Sequence, residues 1–336
     1  MSTKLRFGVL STAAIGVKKV IPAMLRGRLT TVTAIASRDL ARARDAASAL
    51  GIEKAYGSYE ELLADPEIDA IYNPLPNQLH MPWSNKAAEA GKHVLCEKPL
   101  GMNAAEVRTL IEARDRTGVK MAEAFMIRSF PQWLRLRELL DQRRIGDLRS
   151  VTGFFSYFNT DPKNIRNRVE TGGGAVYDIG CYLIHSSRFG FGEEPGRVVA
   201  TIERDGELGT DRLASAILDF PSGHAIFTCS TQLVPYQRIH FLGTRGRIEI
   251  EIPFNAPNDR PTRLFIDATG ELTGAGISTE TFPTGDQYTS QGDAFADAVL
   301  NKGEVPVTLE DALGNMAVID AVFRSAETGQ WQVPAT

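Results

Sequence analysis

The 336-residue chain is long enough for a large core and two domains, and its 43% hydrophobic and 23% charged residues are those of an ordinary soluble protein. A net charge of −4 excludes the basic footprint of a nucleic-acid binder, and no stretch nears the ~18 apolar residues of a membrane span. Three scattered cysteines, histidines without His-x-x-x-His spacing, and a start with neither an apolar h-region nor twin arginines suggest no disulfide, no zinc and no export signal, so a cytoplasmic, metal-free protein is expected.

Leu5 to Leu10 reads as an apolar strand, and Val17 to Leu25 has helical spacing. Between them, Ser11-x-Ala13-x-x-Gly16 stands where a dinucleotide-binding turn usually has Gly-x-Gly-x-x-Gly. Small residues there let backbone amides approach a pyrophosphate at a helix N-terminus. The same segment also reads as a plain tight strand–helix connection. Thr31 to Ala36 is a second strand and runs into Ser37-Arg38-Asp39. An NAD enzyme usually puts an acid here, on the ribose 2′-hydroxyl. A hydroxyl followed by a guanidinium instead suits a 2′-phosphate, which favours NADP over NAD. Asp39 is either that acid or the N-cap of the next helix.

Leu40 to Leu50 is alanine-rich and helical, and Ser58 with Glu61 forms a capping box for a short helix. Asp69 to Asn73 is the third strand expected. It leads into Pro74-Leu75-Pro76-Asn77, a stiff loop suited to flooring the nicotinamide ribose, and on to His80. His80 reads as an N-terminal helix residue or a minor cofactor contact rather than a catalyst. A helix over Met81–Ala90 precedes the fourth strand, His93 to Cys96, which ends at Glu97-Lys98-Pro99. That position holds the lysine ammonium at a strand C-terminus, where open α/β sheets bind ligands. A helix over Ala104–Thr117 and a strand over Lys120–Glu123 follow. Repeated βα units of this length mean a parallel sheet covered on both faces.

The pattern then changes. A helix over Pro131–Gln142 leads to a strand over Leu148–Phe158; the arginines from Arg135 to Arg149 interleave with leucines and read as a solvated helix face. Gly172-Gly173-Gly174 permits a tight start to a helix carrying Asp178 and Tyr182, which at i and i+4 share a face, with His185 approximately on it. A tyrosine phenol normally titrates at ~10. A lysine ammonium beside it lowers that value and makes it usable as a general acid/base, and Lys98 is such a lysine if the two domains face each other across a cleft. Strands over Arg197–Glu203, Leu213–Phe220, His224–Ser230, Arg238–Gly243, Arg247–Ile252 and Arg263–Asp267 form an antiparallel sheet, and helices near Gln287–Leu300 and Leu309–Ala326 close the chain.

Together these segments resemble the glucose–fructose oxidoreductase/inositol dehydrogenase/MocA-like family. The resemblance rests on the turn at 8–16, Ser37-Arg38, Pro74-Leu75-Pro76-Asn77-x-x-His80, Glu97-Lys98-Pro99, Glu123-Ala124-Phe125-Met126 with Arg128, Gly172-Gly173-Gly174 followed by Asp178-Ile179-Gly180-x-Tyr182, and Gly243-Thr244-x-Gly246. Asn164-Ile165-Arg166 is most similar to the sugar and dihydrodiol dehydrogenase branch. The resemblance implies an α/β protein with a doubly wound Rossmann sheet over 1–122. An α+β domain over 123–336 follows, with a large open, mainly antiparallel sheet that makes homodimer or homotetramer contacts. It implies Lys98, Tyr182 and Asp178 as catalytic residues. Cofactor contacts are then expected from Ser11, Thr12, Ala13, Ile15, Ser37, Arg38, Pro74, Leu75, Asn77, His80, Glu97 and Lys98. Asn159, Arg166, Asp178, Tyr182 and His185 join Lys98 as substrate contacts. Ser11 and Ala13 depart from the family's glycines, and His185 stands where close relatives often carry a smaller polar residue. The activity implied is NADP-linked hydride transfer to or from a sugar or sugar-like polyol, of the aldose dehydrogenase or 1,5-anhydrofructose reductase type; NAD is the alternative cofactor. The alternative function is a noncatalytic NADP-binding regulator on the same fold.

Overall fold

The computed structural model describes residues 4–335, so the part of the export-signal reading that falls on Met1–Thr3 lies outside the described residues. The chain divides into two compact units, one running to Ser129 and including Asp286–Leu313, the other comprising Phe130–Gly285 and the residues from Gly314 onward.

In the first unit β1 (Leu5–Leu10), β2 (Thr30–Ala36), β3 (Lys54–Tyr56), β4 (Ala70–Asn73), β5 (His93–Glu97) and β6 (Met121–Ala124) form one sheet in the order β3-β2-β1-β4-β5-β6. Every pairing in it is parallel. The order reverses between β1 and β4, which marks the crevice where such sheets take ligands. The crossover helices are α1 (Ile21–Leu25), α2 (Leu40–Leu50), α3 (Tyr59–Ala64), α4 (His80–Glu89) and α5 (Ala104–Thr117). Their ends follow sequence chemistry. Asp39 caps α2 by accepting from the amides of Ala41 and Arg42, and Gly51 closes it at φ 68°. Ser58 Oγ accepts from Glu61 N at 3.1 Å, while Glu61 Oε2 accepts from Gly57 N, one residue further back than an ordinary capping box. β3 was not expected: three half-buried residues carry no readable period.

The second unit begins with α6 (Pro131–Asp141) and β7 (Leu148–Phe158). A π-helical turn at Val176–Gly180 runs directly into α7 (Cys181–Phe191). β8 (Arg197–Arg204), β9 (Asp211–Phe220), β10 (Gly223–Ser230), β11 (Gln232–Gly243), β12 (Arg247–Ile250), β13 (Thr262–Asp267) and β14 (Ile277–Phe282) complete an eight-stranded sheet, ordered β14-β13-β12-β11-β7-β10-β9-β8. It is antiparallel except at its centre, where β7 and β10 run parallel. One face is apolar and covered: Ala214, Ala216 and Leu218 of β9 and Ala225, Phe227 and Cys229 of β10 are buried. Ile217 and Ile226, opposite each other in register, are exposed on the other face.

α8 (Gln287–Leu300) and α9 (Leu309–Thr328) complete the chain. The expected boundary at 122/123 differs from the observed one. β6 pairs with β5 through Ala124, and α8 returns to the first unit. There Asp293 accepts from the amides of Arg28 and Leu29, and the Phe295 ring lies 5.9 Å from Phe7. A return contact of this kind leaves no local mark in the sequence.

Candidate functional site

The cofactor-end residues gather at the C-terminal edge of the parallel sheet. Ser11 follows β1 with φ 86°, a left-handed backbone that costs a non-glycine residue about 1 kcal/mol. Its Oγ offsets part of that by accepting from Ala13 N at 3.2 Å, and its own amide donates to Ala36 O at 2.9 Å. Serine therefore performs the turn that glycine usually performs. The chain enters its helix after Ala13, and Ser11, Thr12, Ala13 and Ile15 stay partly exposed. First-turn amides of a helix lack intrahelical partners, so this edge suits a pyrophosphate.

At the end of β2, Ser37 is buried and its Oγ accepts from Asp39 N at 3.2 Å. Asp39 is spent on capping α2, which decides its alternative roles in favour of the cap. Arg38 is exposed and hydrogen-bonds the Tyr59 phenol, whose pKa burial raises and the guanidinium pulls back. The edge thus carries a serine and an exposed guanidinium, with Asp39 engaged at the helix cap, a set that fits a 2′-phosphate.

Lys98 follows β5 and is joined to Pro99 by a cis peptide bond. The residues flanking it are held at three points, two of them on the backbone. Glu97 Oε1 accepts from Tyr72 OH at 2.7 Å; Pro99 O lies 2.7 Å from His80 Nδ1; Leu100 N donates to Glu123 Oε1 at 2.9 Å. His80 Nε2 lies 2.6 Å from Leu75 O, so one imidazole ties the 74–76 loop to the lysine turn. Asn73 Nδ2 donates to His80 O and to Ser84 Oγ, fixing the same loop from below. His80 was expected among the cofactor contacts. It is instead 1% exposed with both ring nitrogens on protein carbonyls, and burial drives its pKa down to about 4. Leu75 is buried as well, while Asn77 stays half-exposed. Tyr72 and Glu123 are supports that sequence reading missed, and His80 opens α4, as one of its two readings had it.

In the second unit Asp178 lies on the π-helical turn rather than on regular α-helix, and Tyr182 is the second residue of α7 just after it. π turns recur at functional sites because they re-aim side chains. Asp178 Oδ2 accepts from Tyr157 OH at 2.6 Å and from Arg166 Nε at 3.0 Å. The Asp178 charge, first of all, holds the Arg166 guanidinium protonated far above ordinary conditions, and Tyr182 bears on it too. Tyr157 is pushed well up, mainly by burial and then by Asp178, so it is a fixed donor and no proton shuttle. Tyr182 is nearly buried, its ring 5.9 Å from Phe155 and 5.3 Å from Phe254. Tyr157 was not expected at the site. Its signal was strand alternation: it stands two residues from Phe155 on β7 and so shares the face that packs on Tyr182.

Two expected substrate contacts are presented differently. Asn159 Oδ1 accepts from Asp161 N and Asn167 Nδ2, which folds the 159–167 loop on itself. His185 is 1% exposed within α7, a packing position rather than an open contact surface.

Residues 5–125 match the oxidoreductase family with NAD-binding Rossmann fold, and residues 133–249 match the GFO/IDH/MocA C-terminal domain. A D-xylose 1-dehydrogenase (NADP(+)) of Haloferax volcanii is 42% identical over 96% of this chain and 98% of its own. A trans-1,2-dihydrobenzene-1,2-diol dehydrogenase of Mus musculus is 36% identical over 74% of each chain. The solved structure of KijD10, a 3-ketoreductase from Actinomadura kijaniata in complex with NADP and TDP-benzene, superposes with a TM-score of 0.88 at 30% identity, covering 96% of this chain and 98% of that one. Among the described residues no helix is long and apolar enough to cross a membrane.

Proposed function

The chain belongs to the GFO/IDH/MocA family of oxidoreductases, and we propose that it catalyses reversible, NADP-linked hydride transfer at a carbinol or carbonyl carbon of a sugar or sugar-like polyol. When bound, the nicotinamide accepts or supplies the hydride at C4. Ser11, Thr12, Ala13 and Ile15 would hold its pyrophosphate, Ser37 and Arg38 its 2′-phosphate, and Pro74, Leu75 and Asn77 its nicotinamide ribose, with Glu97 alongside.

Lys98 stabilises the negative charge that develops on the substrate oxygen, and Tyr182 exchanges the hydroxyl proton at that oxygen. A fixed ammonium in a water-poor site is worth more than in water, because the charge needs no solvent reorganisation. Asp178 accepts a neighbouring substrate hydroxyl, its plane fixed by Tyr157 and Arg166. The observation that carries this reading is the anchoring of the turn around Lys98 through Glu97 Oε1, Pro99 O and Leu100 N. Holding a lysine that firmly serves a reaction whose reacting atoms must meet within tenths of an ångström. The relatives' names are in keeping with a sugar and with NADP.

We also propose a homodimer or homotetramer, assembled through the uncovered sheet face that exposes Ile217 and Ile226. The functional test is a panel of aldoses, polyols and keto-sugars with NADP(H) and NAD(H), followed by the absorbance of the reduced nicotinamide. NADP-linked turnover of at least one sugar is expected. A chain that binds NADPH yet turns over none of them contradicts the reading.

A further inference from the structure

Asp211 opens β9 and is 1% exposed, and the mechanism above does not use it. Its Oδ2 accepts from Val176 N at 2.6 Å, and the amides of Ala175 and of Asp211 itself also donate to it. The Ala175 and Val176 amides belong to the start of the π turn that carries Asp178 and leads to Tyr182. The adjoining glycines are seated by close backbone approach. A Cβ on Gly174, whose φ is 119°, would overlap Asp211 Oδ1, and a Cβ on Gly173 would overlap Arg166 O. Gly174 N donates to Arg166 O at 2.8 Å and Gly173 N to Arg168 O at 3.0 Å. The side chain of that same Arg166 reaches Asp178.

We infer that Asp211 is a positioning residue for the substrate site: its buried carboxylate caps the turn at 175–176 from a neighbouring strand and so fixes the helix start that aims Asp178 and Tyr182. A side-chain acceptor at a helix start is normally supplied by the preceding residue. Gly174 has no side chain, and Asp211 supplies the acceptor from 35 residues away in sequence. A carboxylate also suits the positive end of the helix dipole. This inference rests on the reading that Asp178 and Tyr182 work on substrate.

Burial raises the Asp211 pKa to about 7 against the lowering effect of its amide partners and of Arg204. Cys229 on β10 and Tyr157 on β7 feel the Asp211 charge and that of Asp178, and both are driven up chiefly by burial. The charged form of the Asp211 acceptor is therefore lost as pH falls through about 7, and the neutral carboxyl keeps one carbonyl oxygen toward the amides.

The test is Asp211→Asn in the full chain, with kcat, KM and pH profile on the best sugar of the panel and a separate NADPH titration. Loss of a charged hydrogen-bond acceptor predicts a fall in kcat of about tenfold or more. NADPH affinity should stay within about twofold, and the acid limb near pH 7 should disappear from the profile. Wild-type kcat with the limb retained overturns the inference. Should that variant fail to fold, hydrogen-exchange protection of the Ala175 and Val176 amides in the wild-type chain decides it. Those two amides should be protected to the level of the interior of α7, and protection no greater than that of an uncapped helix end overturns it. The exchange measurement needs no substrate, so a chain inactive on every sugar contradicts the functional reading without deciding the placement of Asp211.

Discussion

Three consecutive residues at the end of β2 do three different things. Ser37 braces the turn, Arg38 stays exposed beside Tyr59, and Asp39 caps α2. If Arg38 reads a 2′-phosphate, Arg38→Ala should weaken NADPH by about ten- to a hundredfold, the worth of a charged hydrogen bond, and NADH by no more than about threefold. Asp39→Ala should cost about 1 kcal/mol of stability and leave the NADPH/NADH ratio unchanged. Fluorescence titration of both cofactors against both variants checks this, and an equal effect of Arg38→Ala on both cofactors contradicts it. The proposed site's chemically distinctive residues, Lys98, Tyr182, Asp178 and Arg38, could be singled out from sequence because each carries charge or a titratable group at a telling position. Their supports were not legible. Tyr72, His80 and Glu123 hold the lysine turn from contacts 25, 19 and 23 residues apart in sequence, and no local pattern marks such a contact.

The long periodic elements were read almost to the residue, as α2, α5, β7 and α8 illustrate, because their apolar spacing and their caps agree. Elements of another kind were missed. β3 is too short for a period, and β14 is a polar outer strand whose pattern, Ile-Ser-Thr-Glu-Thr-Phe, has no buried face to advertise it. The π turn at Val176–Gly180 could not be foreseen either, since π and α turns share the same residue preferences. Gly173 and Gly174 sit against Arg166 and Asp211 just ahead of it. The Gly-Gly-Gly signature was thus visible, but the residues that require it were not. The pH behaviour expected of Asp211 belongs to this scale, because it reports on a helix start rather than on one side chain.

The two units differ in how they finish their surfaces. The parallel sheet is clothed by its own crossover helices, which is why its strands read as continuous apolar runs. The eight-stranded sheet buries only one face, and Ile217, Ile226, Tyr236 and Leu242 are exposed on its strands. Apolar residues exposed together on a sheet face are in keeping with the proposed interaction surface. If identical faces meet there, Ile217→Lys with Ile226→Lys should convert the oligomer to single chains in sedimentation analysis. A wild-type chain that already sediments as a monomer, or a double variant that keeps the assembled mass, contradicts the proposal. Sequence order showed two architectures in succession. It did not show that α8 returns to the first unit, because chain order carries no information about which surface a late helix will cover.

Turnover by Lys98→Ala and Tyr182→Phe, singly and together, bears most directly on the proposed chemistry. Lys98→Ala should lower kcat by about a hundred- to a thousandfold, as the loss of one preorganised charge-stabilising group does, while NADPH still binds. If both residues serve one oxygen, the double variant should fall little below the worse single variant. Lys98→Ala with wild-type turnover on a good sugar substrate, or strictly additive losses, would contradict a lysine that holds the oxyanion while Tyr182 moves its proton.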